Sequence, residues 1–342
     1  MENFRLTHLS DLHLAVQHSR ANAFVSHKYL EVLLDFNHRY LPSTFAPRKA
    51  ILLAAELARL SAESSAILIT GDIATTDADL AFAKEWIFGA GSFSYVPQYQ
   101  FQPLGADTIP RIACVSPTVL MPGNHDRFQG GRNLPGSVEF EKVFGNNWDL
   151  GNGNSKGLPV RKYVKCTKLT LGQTALTVVC ADLSLKSDAD QDCPLGYLGQ
   201  GRAYADRLSD LVDVTEQCQD RTGGMCVVWA IHFPPRFYDS RVGPRMRLIS
   251  EDLVLQAADK AGIRIIFCGH THLSRVYKAE HSKVYVVNAG TPCAFGKDEI
   301  HSFHDVSLEV DGERLVSATV TNYEWHNDLA SFTIQSSQPI QF

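Results

Sequence analysis

Five short stretches of this chain carry residue types able to ligate divalent cations: Asp11 with His13, Asp72, Asn124, His232, and His270 with His272. Every donor is a nitrogen or an oxygen and none is a thiolate. Such a set suits two borderline-to-hard divalent ions better than one tetrahedral structural zinc. Spacing groups the residues further. Asp11 and His13 are two apart, as are His270 and His272, and in an extended backbone residues i and i+2 point to one side, so each pair can reach a common point. The chain has 13 histidines, and any one alone reads as an ordinary core or surface residue. The set reads differently because each stretch stands directly after an apolar run.

Those runs are the elements that must position the donors. Residues 4–10 alternate as a first strand, in which His8 reads as structural, and end in Asp11-Leu12-His13. Residues 66–70, Ala-Ile-Leu-Ile-Thr, are continuously apolar, as a central strand covered on both faces must be, and end in Gly71-Asp72. Residues 117–121 are short, apolar and bounded by prolines; they open through a Pro-Gly turn into Asn124-His125-Asp126-Arg127. Residues 226–231 deliver His232 ahead of Phe233-Pro234-Pro235, where the prolines stop the strand. Residues 263–268 deliver Gly269-His270-Thr271-His272, and 284–287 deliver Asn288. In open α/β sheets ligands collect at the carboxyl ends of strands, where the chain leaves regular structure and can aim side chains into one crevice.

Between these blocks the chain reads as alternating strands and helices. A helical insertion occupies 15–65, its second helix starting at Pro47 and carrying Ile51, Leu52, Ala55 and Leu60 inward. Another helix opens near Thr76 and runs through Trp86. The aromatic, proline-punctuated segment 92–110 reads as a long surface loop. Further strands fall at 169–171, 175–181 and 306–310, and helices at 204–218 and 251–261. Residues 1–330 thus form one domain, followed by a polar C-terminal tail or edge at 331–342.

Composition narrows the function classes. With 342 residues, 44% hydrophobic and 20% charged, the chain has ordinary globular composition. A net charge of −5 and a pI near 6.2 leave no electrostatic footprint for duplex nucleic acid or an anionic membrane. The first residues lack a signal pattern and no run is long enough to cross a bilayer, which predicts a cytoplasmic protein without a membrane span. The eight cysteines include no CxxC pair, and Cys114, Cys180, Cys226 and Cys268 lie in apolar runs, so they read as reduced core residues.

The ordered blocks Asp-x-His, Gly-Asp, Gly-Asn-His-Asp, His and Gly-His-x-His resemble the calcineurin-like metallophosphoesterases. Gly-Asn-His-Asp with His-x-Pro-Pro is most similar to their bacterial branch that includes class III cyclic nucleotide phosphodiesterases. The resemblance spans residues 6–292. It implies an α/β fold, a four-layer α/β/β/α sandwich of two mixed sheets flanked by helices. It further implies that Asp11, His13, Asp72 and His272 hold one metal ion and that Asp72, Asn124, His232 and His270 hold the second, with Asp72 bridging. The two divalent ions would be Mn, Fe or Zn. His125 is implied to face the substrate rather than a metal, with Asp126 as the partner that orients it.

Two cations so placed would make hydroxide available near neutral pH and clamp the oxygens of a phosphate ester. His125, as a cation, would stabilise phosphoryl charge or protonate the leaving oxygen. Arg127, Arg236, Arg241, Arg245 and Arg247 follow ligand blocks and are candidates to receive phosphate. The expected activity is hydrolysis of a small phosphodiester, a 3′,5′-cyclic nucleotide being the first to consider. The alternatives are a phosphomonoesterase, pyrophosphatase or nuclease on the same centre, and a non-catalytic scaffold. A scaffold is expected to have lost ligands, whereas here every ligand position is filled.

Overall fold

The computed structural model of the chain describes residues 1–14, 46–74, 79–88, 92–95, 98–99, 102–103, 107–110, 117–127, 139–145, 148–150, 157–185, 200–221, 226–243, 246–293, 301–312 and 314–342. Two mixed sheets dominate. In the first, β1 (Glu2–Leu9), β2 (Ala66–Ile69) and β3 (Thr118–Leu120) run parallel, and β4 (Asp149–Leu150) pairs antiparallel with β3. The second is built from β5 (Val164–Leu171), β6 (Thr174–Ala181), β7 (Cys226–Ile231), β8 (Ile265–Cys268), β9 (Arg275–Lys278) and β10 (Tyr285–Asn288). There β6, β7, β8 and β10 are parallel, and β5 and β9 close the edges antiparallel. The chain then returns to the first sheet as β11 (Ser302–Asp311), β12 (Arg314–His326) and β13 (Ser331–Gln341), giving the spatial order β13-β12-β11-β1-β2-β3-β4.

Period-two alternation sorts each strand between two hydrophobic layers. From β6 to β8, Val178, Cys180, Val228, Ala230 and Phe267 join the layer shared with the first sheet. Their neighbours Val179, Ala181, Val227, Trp229, Ile231 and Ile266 form a separate layer with Leu211, Val214, Val254, Leu255 and Ala258. Those last five come from α4 (Ala205–Arg221) and α5 (Glu251–Lys260), which therefore cover the outer face of the second sheet. On β1, His8 points inward, its ring 5.1 Å from that of Phe267, while Thr7 points outward to Ser64, 2.9 Å away just past α1 (Pro47–Ser61). Helices α1, α2 (Leu80–Phe88) and α3 (Glu139–Phe144) pack with the first sheet's core. Helices thus flank both sheets, as expected.

Pro47 does open its helix, where its missing N–H costs nothing, but of the expected inward residues only Leu60 is buried: the buried stripe is Ala50, Leu53, Leu57 and Leu60, while Ile51 and Leu52 are half-buried and Ala55 is exposed. The first helix of the 15–65 insertion, Thr76, Cys114 and Arg245 lie outside the described residues. Two further expectations need correction. Segment 92–110 is not plain loop: Ser92–Tyr95 pairs antiparallel with Asp107–Pro110, and inside them Gln98–Tyr99 pairs with Gln102–Pro103. Its Ser-Phe-Ser-Tyr alternation has the period of a strand. Residues 331–342 are not a tail either, since β13 pairs along its length with β12 as the edge of the first sheet. It reads as polar because an edge strand buries little, here chiefly Phe332 and Ile340.

Cys166, Cys180, Cys218, Cys226, Cys268 and Cys293 are buried thiols outside any disulfide. Among the described residues no helix is long and apolar enough to cross a membrane.

The buried indole of Trp229 donates to Thr215 Oγ1 at 2.9 Å, tying β7 to α4. Trp229→Phe keeps the apolar bulk but removes that donor, so it should destabilise the fold by about 1–3 kcal/mol. Urea unfolding should show a lower midpoint with an unchanged m-value.

Candidate metal centre

The ligand-type residues gather where the two sheets present the carboxyl ends of their parallel strands. The first sheet supplies Asp11 and His13 after β1, Asp72 after β2 and Asn124 after β3. The second supplies His232 after β7, and His270 and His272 after β8. All seven are buried. Donor atoms close enough to share an ion fall into three overlapping groups, Asp11 with His13 and His272, His13 with Asp72 and His125, and Asp72 with His232 and His270.

Each carboxylate has one oxygen anchored and one facing the cluster. Asp11 Oδ2 accepts from the His270 N–H at 2.7 Å, leaving Oδ1 3.3 Å from His272 Nε2 and 3.8 Å from His13 Nε2. That Oδ1 is buried and has no hydrogen-bond partner. Asp72 Oδ1 accepts from the His125 N–H at 2.8 Å, and Oδ2 stands 3.3 Å from His232 Nε2, 3.8 Å from His125 Nε2 and 4.0 Å from His13 Nε2. Asp72 Oδ2 therefore lies between the two groups, as a bridging carboxylate must.

Backbone carbonyls set the imidazole tautomers. His232 Nδ1 lies 2.7 Å from Thr70 O and His270 Nε2 lies 3.0 Å from Met246 O, so each of these nitrogens carries the proton and donates it. The opposite nitrogens, His232 Nε2 and His270 Nδ1, face Asn124 Oδ1 at 3.0 and 3.1 Å, so that without a proton on them all three atoms are acceptors. His13 Nε2 and His272 Nε2 approach each other at 2.9 Å. An unsatisfied carboxylate oxygen, a carboxamide oxygen and unprotonated imidazole nitrogens converging in a buried site are an acceptor set that divalent cations complete. The residues present fit two such ions.

Electrostatics point the same way. Burial alone would raise the Asp72 carboxyl, but His232, His125 and His13 hold it well below the usual carboxylate range. Burial opposes protonation of His232, yet Asp72 beside it pushes the imidazole up to about 9. His270, which lacks such a close partner, is lowered to about 3 by burial and by His232. A proton and a cation compete for the His232 lone pair, so metal uptake strengthens as pH rises.

The local sequence explains how the chain reaches this geometry. Asp11, His13, Asp72, His270 and His272 all have positive φ, between 46° and 71°. Glycine precedes three of the blocks for steric reasons. A Cβ on Gly123 would stand 2.2 Å from Asp72 Oδ1, and one on Gly269 would stand 1.7 Å from Ser10 Oγ and 2.5 Å from Asp11 Oδ2. Gly71, at φ +99°, is 2.6 Å by the same measure from the Gly123 nitrogen and 2.7 Å from His232 Nδ1.

Other candidates take different roles. Asp126 does not contact the His125 ring; its carboxylate accepts from the N–H groups of Gly123, Ile73 and Ala74 at 2.9, 3.1 and 3.1 Å, lashing the loop after β3 to that after β2. Burial and then Asp72 raise its carboxyl against those amides. Arg127 is buried, its guanidinium bound to Asp182 and Glu141. Arg236 pairs with Asp252 and Arg241 with Asp239, and the Arg247 guanidinium lies 5.8 Å from the Tyr238 ring centre. Asn288 donates to Thr271 Oγ1 and Leu273 O, supporting the His270–His272 loop from behind. Sequence reasoning missed the carbonyls of Thr70 and Met246, because any residue supplies a carbonyl and no residue type marks it.

A family model for calcineurin-like phosphoesterases matches residues 4–274. No curated protein matches the chain in sequence. Among solved structures the chain is similar to GAP50, the anchor in the inner membrane complex of Plasmodium, at 10% identity over 99% of this chain and 89% of that one, with a TM-score of 0.51. Other similar structures are a putative 5′-nucleotidase from Staphylococcus aureus (11% identity, 99% and 54% covered, TM-score 0.45) and the sulfate thiohydrolase SoxB of Thermus thermophilus (13% identity, 99% and 56% covered, TM-score 0.43). Identities this low speak to the fold alone.

The central place of Asp72 Oδ2 sets an expectation for metal content. Asp72→Ala should lose metal at both positions, whereas Asn124→Ala, which removes one carboxamide oxygen near His232 and His270, should lose chiefly one equivalent. Elemental analysis after reconstitution with Mn reads the difference, and two full equivalents in Asp72→Ala would refute the bridge.

Proposed function

The chain belongs to the calcineurin-like phosphoesterases, and on that premise we propose that it is a dinuclear-metal-dependent phosphodiesterase acting on a small phosphodiester, with 3′,5′-cyclic AMP the first natural substrate to try. Asp11, His13, Asp72 and His272 hold one cation and Asp72, Asn124, His232 and His270 the other, Mn, Fe or Zn. When bound, these ions supply hydroxide at neutral pH and neutralise the phosphoryl oxygens. Asp72 keeps both sites together through Oδ2. The two carbonyl-fixed imidazoles, His232 and His270, keep their donor lone pairs aimed without reorientation, which is the preorganisation that catalysis requires.

In this reading His125 serves as the substrate-facing group. Its backbone N–H is committed to Asp72 Oδ1, and its ring packs edge-on at 4.9 Å from that of His13, beside the cluster. From there the imidazolium stabilises phosphoryl charge or gives a proton to the leaving oxygen.

One observation carries the choice of a diester. A phosphodiester bears one negative charge and a monoester two near neutral pH, so a monoester site gains more from cationic side chains beyond the metals. Of the arginines that follow the ligand blocks, Arg127, Arg236 and Arg241 are each neutralised by a carboxylate. Those three therefore add no free positive charge beside the two cations and His125, a balance that suits a monoanion, while Arg247 lies against the Tyr238 ring.

Two measurements test the reading. His125→Ala should keep wild-type metal content while turnover falls on the order of a hundredfold or more, the scale of a positioned acid or charge stabiliser; loss of metal would make His125 a ligand instead. With both sites filled, kcat/KM for an aryl phosphodiester should exceed that for the matching monoester in the same buffer. The reverse order rejects the diesterase. Cleavage of the aryl diester without cleavage of cyclic AMP rejects only the cyclic nucleotide.

A further inference from the structure

Asn124 and His232 meet across the seam between the two sheets, so a fixed distance between them requires a fixed seam. The turn bearing Asn124 hangs from β3 of the first sheet, while His232 and His270 stand on β7 and β8 of the second. Arg127 closes that turn, its N–H donating to the Asn124 carbonyl at 3.2 Å. Its guanidinium then reaches across to the second sheet. Nε donates to Asp182 Oδ2 at 2.8 Å, and the two terminal nitrogens donate to the two oxygens of Glu141 in α3, each at 2.7 Å.

The register of the second sheet shows what this reach measures. Ala181 at the end of β6 pairs with Ile231 at the end of β7. Asp182 and His232 are the next residues of the two parallel strands, so they stand side by side. The Arg127–Asp182 bond and the Asn124–His232 approach therefore bridge one gap, from the same turn to the same pair of strand ends.

The receiving end is itself braced. Asp182 Oδ1 accepts from the Ser184 N–H at 2.9 Å, and Arg207 Nη1 donates to the carbonyls of Asp182 and Ser184 at 2.6 Å each. Burial opposes ionisation of Asp182, yet Arg127 and Arg207 hold its carboxyl below the usual range. On the other arm, Trp148 Nε1 donates to Glu141 Oε1 at 3.2 Å. A planar five-donor fork is needed to serve two carboxylates in different directions, and a lysine ammonium cannot reproduce it.

Resting on the dinuclear reading above, we propose that Arg127 is a positioning residue for the cation site formed by Asp72, Asn124, His232 and His270, fixing Asn124 against the second sheet through Asp182 and Glu141. It touches neither substrate nor metal. Its effect falls selectively on that site, because Asp11, His13 and His272 are joined through other contacts: His270 N–H to Asp11 Oδ2, and His13 against His272.

Titration of metal-free protein with Co(II), followed by visible absorption, reads the two equivalents separately, and hydrolysis of bis(4-nitrophenyl) phosphate is followed on the same samples. Arg127→Lys should weaken one equivalent by about ten- to a hundredfold and leave the other at wild-type affinity. Its kcat should recover at saturating metal. Glu141→Gln, which keeps the Arg127–Asp182 bond, should weaken the same equivalent by less, and it decides the matter alone if Arg127→Lys does not fold. Wild-type affinity for both equivalents in the variants overturns the proposal. So does an equal loss of both with a lowered melting temperature, which marks general destabilisation. Two equivalents in the wild type without diester hydrolysis would reject the phosphodiesterase and leave the Arg127 assignment standing, whereas uptake of a single equivalent by the wild type rejects both.

Discussion

The structure depends on one carboxylate oxygen, Asp72 Oδ2, being buried and surrounded by imidazoles. It lies within 4.0 Å of ring nitrogens of His232, His125 and His13. An isolated carboxylate buried in this way would take up a proton, and the surrounding positive charge is what keeps it ionised. Its other oxygen is held by the His125 N–H, and that contact exists only because Gly123 has no Cβ to collide with it. The glycine, the turn after β3 and the left-handed backbone at Asp72 are thus one requirement seen at three residues.

The same requirement explains the concentration of unusual backbone. Five of the seven ligand-type residues have positive φ, a conformation that costs a non-glycine residue of order 1–3 kcal/mol and is tolerated best by Asp, Asn and His. A chain selected only to fold would use ordinary backbone at these strand ends. The strain persists because hydrogen bonds on every side over-determine it: Asp11 N–H to Gly71 O, His13 N–H to Asp72 O, Gly269 N–H to His232 O, and Asp126 on three amides.

Much of this was legible in the sequence, for identifiable reasons. The strands ending at Leu9, Ile69, Leu120, Ile231 and Cys268 were readable because buried parallel strands are continuous apolar runs, and the ligand types directly after them stand out against those runs. Strand β12 and the edge strand β13 were not, since strands with a solvated face carry Thr, Ser and Gln that read as loop. The role of Asp126 was misread because the family resemblance paired it with His125, while the fold turns its carboxylate to backbone amides, which no sequence pattern advertises. Arg127 failed as a phosphate receptor for a similar reason. Its partners Asp182 and Glu141 lie 55 and 14 residues away, and only the packed sheets reveal that both of its faces are taken.

The division of ligands between sheets ties metal chemistry to folding. Asp11, His13, Asp72 and Asn124 come from one sheet and His232, His270 and His272 from the other, so neither group can bind two cations until the sheets are docked. With cations bound as proposed, binding energy at this centre would be folding energy as well, and a ligand at a hundred times its dissociation constant adds about 2.7 kcal/mol to stability. That linkage works in both directions. Whatever holds the sheets at the right separation, whether the apolar layer around Phe267 or the buried ion pairs of Arg127, also raises affinity for the cations, because less ordering remains to be done when they bind. A centre assembled at the seam between two sheets gains rigidity from both, and strain at its strand ends is tolerable because neither sheet can relax without losing contacts with the other.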